Sequence, residues 1–209
     1  MCGGISMTMM STPRNRHHAS FLLLGEPLAL DLVNTLVPPA YGGDLVATPA
    51  RVRDWLRAEA DRLPADALEL PGMADLRALR EALRALFTAA LDGTAPSRAQ
   101  LRTVNAASRE GARYLELEWS QDAGPTARGR PRRRTRGGSG VALLAEISRS
   151  GIELLGGAHR DRLRRCAGPG CTLLFAAVNP RRRWCAPHLC GNRVRVARNY
   201  RRRSEGRSG

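Results

Sequence analysis

At 209 residues the chain is long enough for one or two domains with a real core, and its 43% apolar content excludes a wholly disordered polymer. Its formal charge of +15 comes from 34 basic and 19 acidic residues, and every basic residue is arginine. No apolar run approaches about 18 residues, the minimum for a membrane span, and MCGGISMTMMSTPRNRHHAS lacks the apolar segment of a secretory signal. The cytoplasm is therefore the expected compartment.

Residues 1–20 read as a disordered leader in which Met7, Met9 and Met10 are alternative starts. Phe21 to Thr35 is apolar and turns polar at Asp31 and Asn34; periodicity does not choose between a strand and a buried helix. Thr48-Pro49 predicts a helix start, with Val52, Trp55, Leu56 and Leu63 at helical spacing. A second amphipathic helix is expected from about Ala74 to Leu91, stopped at Asp92-Gly93, and a third from the cap Ser97 to about Arg109. Arg113 to Trp119 alternates instead, with Leu115, Leu117 and Trp119 on one face, and predicts a strand. Residues 121–140 are Gly, Pro and Arg with little apolar content and read as a flexible loop. Val141 to Leu155 returns to helix.

The charge is concentrated. Residues 157–209 hold 14 arginines against Asp161 and Glu205, residues 121–140 carry a net +5, and the remainder is −2. A neutral body with a basic C-terminal quarter points to an anionic polymer, nucleic acid before membrane. A solubilising tail is the plain alternative.

Cys2 lies in the leader. Cys166, Cys171, Cys185 and Cys190 are spaced C-x4-C-x13-C-x4-C, two close pairs on Gly- and Pro-bearing turns. That is how a chain presents four thiolates to one tetrahedral zinc, and with every position filled by protein the metal is structural. Two disulfides are the alternative, suited to an oxidising compartment. His188 reads as a turn residue beside an already complete ligand set. Between the pairs, Leu173 to Phe175 is expected to form one strand of a hairpin, Asn179-Pro180 its turn and Arg181 to Trp184 the return. A helix then runs from Cys190 to about Arg203.

The run Arg182-Arg183-Trp184-Cys185 with Cys190-Gly191-Asn192-Arg193 resembles the CGNR zinc finger, and Leu28 to Thr35 (LALDLVNT) is similar to the opening motif of the ABATE domain. Together the resemblances cover about residues 21–203. They imply a stress-induced bacterial transcription regulator with a DNA-binding finger. The expected organisation is a leader (1–20), a mainly α N-terminal domain with a short β element (21–156), and a small α+β zinc-finger module of β-hairpin plus helix (157–203). Residues 204–209 form a tail.

Projected at about 100° per residue, the last helix places Val196, Ala197 and Tyr200 within about 60° of Arg193, a packing face. Arg195, Arg198 and Arg202 fall on a separate basic face. These three, with Arg181, Arg182 and Arg183, are the candidate phosphate contacts on double-stranded DNA. Asn192 and Arg193 are expected to serve the zinc turn. Asp31, Asn34 and Thr35 either line a pocket for a small effector or cap a turn closing the helical core. A homodimer is left open. No nucleophile–base pair stands out, His17 and His18 are in the leader, and no phosphate-cradling loop is present, so an enzyme is not expected. The competing class is a zinc-stabilised ligand- or protein-binding module that does not bind DNA. RNA binding is less suited, since nine aromatics offer few stacking platforms.

Overall fold

The computed structural model describes residues 21, 24–64, 67–111, 113–122, 124–131 and 140–205. The leader with Cys2, His17 and His18, residues 132–139 of the Arg-rich segment and the end of the tail lie outside them.

The hub is α1 (Leu28–Val33), entered through Pro27, with all six residues buried. A segment enclosed on every side must satisfy its backbone groups internally, which favours helix over strand. α3 (Met73–Asp92) and α5 (Val141–Gly156) pack on it, α4 (Arg98–Arg109) packs on those two, and α2 (Pro49–Glu59) joins the core through Val52, Trp55 and Leu56. Their starts follow local chemistry. Thr48 accepts from the Arg51 amide ahead of Pro49, and Ser97 and Gln100 form a reciprocal capping box. Gly93, at φ +66°, ends α3. The buried faces supply one core containing Trp55, Leu79, Leu83, Leu86, Phe87, Leu143 and Ile147. Gly151 lets α5 close on its neighbours: a Cβ there would lie 2.5 Å from Leu83 Cδ2.

The strand expected at 113–119 is β1 (Arg113–Ser120), with Leu117 buried. Its partner corrects the loop reading of 121–140. Gly124–Pro131 is β2, antiparallel to β1 with Leu117 opposite Ala127. β2 needs little apolar content because β1 supplies the side chains and the ladder supplies main-chain bonds; Arg128 also pairs with Glu118 at 2.7 Å. α4 fastens the sheet. Asn105 donates to the Leu117 carbonyl (3.0 Å) and accepts from its amide (2.8 Å).

The C-terminal module holds β3 (Leu163–Arg165), β4 (Leu174–Ala176) and α6 (Asn192–Glu205). A hairpin and helix are present as expected, but the strands differ. β4 pairs with β3, upstream of the first cysteine, and Arg181 to Trp184 is a turn rather than the return strand. Asn179 and Pro180 lead into it, with Arg181 N–H bonded to Asn179 Oδ1 at 2.9 Å. Leu163, Leu173, Leu174 and Phe175 belong to the same core as α1 and α3.

Candidate metal centre and nucleic-acid interface

Both cysteine pairs sit on tight turns. In the first, Cys166 N–H bonds to Leu173 C=O (3.0 Å), continuing the hairpin, and Cys171 N–H returns to Gly168 C=O (3.0 Å). A Cβ on Gly168 would meet Cys190 Sγ at 2.8 Å, and Gly170 turns at φ +67°. In the second, Pro187–Gly191 forms a single π-helical turn that delivers Cys190 to the start of α6. The sulfurs of Cys166, Cys171, Cys185 and Cys190 all lie within 4.8 Å of one another, and His188 is not among them.

This set fits one structural zinc. Four thiolate donors at tetrahedral spacing leave no coordination position for a reacting water. Backbone N–H groups of Cys185 (3.2 Å) and Gly168 (3.4 Å) point at Cys166 Sγ, and Arg193 Nη2 at Cys190 Sγ (3.4 Å), donors that favour thiolate. As thiols the group shares protons unequally. Bonding from Cys185 lowers Cys171 to about 5, whereas burial raises Cys190 to about 11. The bond to Cys171 also pushes Cys185 up. A dication supplies the charge that ionises all four.

The module is fastened to the N-terminal domain by buried polar side chains. Glu26, 3% exposed, accepts from Ala176 N–H at 2.7 Å and from Arg182 Nη2 at 2.6 Å. Arg182 also donates to the carbonyls of Trp184 (3.1 Å) and Cys185, and its guanidinium stacks 4.3 Å from the Phe175 ring centre. The expectation that Arg182 contacts phosphate is thereby corrected: its donors are committed inside the protein. Sequence reasoning missed Glu26, since nothing local links position 26 to 182.

Asp31, Asn34 and Thr35 are buried and bonded rather than lining an effector pocket. Asn34 pairs with both backbone groups of Leu174, at 2.9 and 3.0 Å. Thr35 donates to Leu32 C=O and accepts from Arg80, which clamps Asp44 through both nitrogens. Arg62 joins Asp31 (2.6 Å) to Glu59 (2.7 Å). Burial raises Asp31 well above its usual 3.8, with Glu59 adding repulsion, and burial likewise raises Glu59 and Glu26. A groove of about 550 Å³ lies elsewhere, among Thr94, Trp119, Gln121, Asp122 and Arg160, between the end of α3 and the tip of the β1–β2 hairpin.

The side of α6 expected to pack is exposed. From Arg195 to Arg203 every residue is exposed, including Val196 at 51% and Tyr200 at 70%. The first turn is tied to the body. Arg193 donates to Pro169 C=O (2.8 Å) and to the Tyr41 hydroxyl, while Asn192 Oδ1 accepts from Arg195 (2.8 Å). Arg181 and Arg183 are exposed on the turn before Cys185, Arg183 lying beside Trp184.

Fold and site together define a zinc-stapled hairpin–helix module sharing a core with a helical domain. The family model described as "Putative stress-induced transcription regulator", ABATE, matches residues 26–158, and that of the CGNR zinc finger matches residues 162–203. The chain belongs to the ABATE family and carries a CGNR zinc finger. No curated protein matches it. Among the described residues no helix is long and apolar enough to cross a membrane.

Proposed function

We propose that this chain is a non-enzymatic, DNA-binding transcription regulator whose helix α6 is laid against the duplex. The observation that carries the reading is the exposure of every residue of α6 from Arg195 to Arg203. An exposed helix of 14 residues, about 21 Å long and about 10–12 Å across with its side chains, fits within the roughly 12 Å width of a major groove. Arg195, Arg198 and Arg202 supply phosphate contacts, and Arg181 and Arg183, exposed on the turn before Cys185, add to them. The zinc holds the turn from which α6 springs. A small effector, as the second element of the reading, has the Trp119–Arg160 groove, whose volume is in the range of ligand sites.

Binding to random and to upstream genomic duplexes, followed by fluorescence anisotropy across a salt series, tests the reading. Expected is a steep log–log salt dependence with tighter binding to a subset of genomic sequences. Absence of salt-dependent binding to any duplex favours the ligand- or protein-binding module instead.

A further inference from the structure

Beyond its first turn α6 is exposed from Arg195 to Arg203, so the contacts at its base bear on how it is aimed. Val196 and Tyr200, on the side expected to pack, are 51% and 70% exposed. One contact at the base comes from the N-terminal domain. Arg193 lies with its guanidinium carbon 5.8 Å from the centre of the Tyr41 ring and donates Nη1 to the Tyr41 hydroxyl. Its other nitrogen, Nη2, faces Pro169 C=O and Cys190 Sγ. One side chain therefore joins both cysteine turns, the start of α6 and a loop 152 positions upstream.

That loop is built to be stiff. Tyr41 N–H bonds to Pro38 C=O (2.8 Å) and Val37 N–H to Gly43 C=O (2.9 Å), closing a turn through Gly42 and Gly43 at φ +110° and +67°. Asp44, immediately after it, is clamped by Arg80 of α3 at 2.7 and 2.6 Å, and Arg80 also reaches Thr35. Yet Tyr41 itself is 55% exposed, so the ring is not there to fill the core. Its polar end and one flank are turned to Arg193.

We propose that Tyr41 is a positioning residue for the finger helix: the N-terminal domain, acting through Tyr41 and Arg193, sets the direction in which α6 presents its arginines. The inference rests on the reading of α6 as the DNA-contacting element. It assigns the motif arginine to orientation and places the N-terminal domain in control of it. A rearrangement of the Arg80–Asp44–Thr35 network would then alter the aim of α6 without touching the zinc.

The test uses the full-length zinc-loaded protein and the variants Tyr41→Ala and Tyr41→Phe. Residual dipolar couplings of backbone amides report whether α6 and α3 share one alignment frame, with no DNA present. Wild type is expected to share it. In Tyr41→Ala the α6 couplings shrink while α3, the zinc content and the melting temperature hold. Affinity for a random duplex then falls by about three- to tenfold, the size expected for an exposed cation–π contact and one hydrogen bond. Tyr41→Phe, which keeps the ring, falls between. Unchanged α6 couplings in Tyr41→Ala overturn the proposal, as does lost alignment with unchanged affinity. If wild type itself binds no duplex, that result counts against the DNA reading, and the couplings alone decide whether Tyr41 aims the helix.

Discussion

The carboxamide of Asn34, in the turn that ends α1, holds both backbone groups of Leu174 in the finger, donating at 2.9 Å and accepting at 3.0 Å. It does for β4 what a neighbouring strand would do. Asn105 treats Leu117 of β1 in the same way, so each edge is closed by an asparagine rather than by another strand. Asn34→Ala leaves a buried N–H and a buried C=O of Leu174 without partners, at a cost of about 2–4 kcal/mol. Urea unfolding should show that loss, and Asn34→Asp, which cannot donate to the carbonyl when ionised, should recover little of it.

Native mass spectrometry is expected to find one zinc per chain, lost on changing Cys166, Cys171, Cys185 or Cys190 to Ser. Gly168→Ala should also lower zinc retention, because its Cβ falls 2.8 Å from Cys190 Sγ. Stripping the metal with a chelator should lower the melting temperature of the whole chain. The finger's Leu174 and Phe175 belong to the same core as α1, so the two parts cannot come apart independently.

The arginines divide into two functional sets. Changing Arg195, Arg198 and Arg202 to Ala should leave melting unchanged and reduce the log–log salt slope of DNA binding by up to about 2.7, at about 0.9 per phosphate contact. Arg182→Ala should do the reverse. It strands the Glu26 carboxylate, 3% exposed, and should destabilise by about 3 kcal/mol with the salt slope unaltered. Arg182→Lys should not rescue it, since a lysine cannot stack on Phe175 while holding Glu26 and two carbonyls.

Asp31 predicts a pH dependence of a definite sign. Burial raises its carboxyl above 3.8, with Glu59 adding repulsion and Arg62 opposing both, so the folded protein holds a proton that the unfolded chain releases. Stability from this group is therefore greatest below 3.8 and falls as pH rises through the raised value. Asp31→Asn should gain on wild type as pH increases. Asp44 acts oppositely: bonding from Arg80 holds it below 3.8, so its contribution is present above that pH and is lost on acidification through its lowered value. Denaturant midpoints for wild type, Asp31→Asn and Asp44→Asn across the pH range separate the two slopes.

Much of the fold was legible because its signals are local. Thr48-Pro49, the Ser97–Gln100 box and Gly93 mark helix ends through groups within a few residues of one another, and the alternation of Leu115, Leu117 and Trp119 marks β1. The cysteine spacing likewise needs only short turns to bring each pair together, so the zinc ligands could be read directly. β2 could not. Its stability comes from a ladder with β1, and nothing in its own composition announces a strand.

What the sequence by itself determined is the helices α2 to α6, the zinc ligand set and the concentration of arginine at the C-terminal end, because each depends on propensity, spacing or composition along the chain; whether Leu28–Val33 is helix or strand it left open. Only the tertiary structure decided how the polar residues are spent. Arg182 and Arg183 are neighbours of identical type, yet one is fixed by Glu26 and Phe175 and the other is exposed. A helical projection grouped Val196, Ala197 and Tyr200 on one side of α6 but could not show that this side is left exposed. The physical reason is the same in both cases: a side chain's partner is set by which surfaces meet when segments more than a hundred residues apart close on each other, and that closure has no signature in the local sequence.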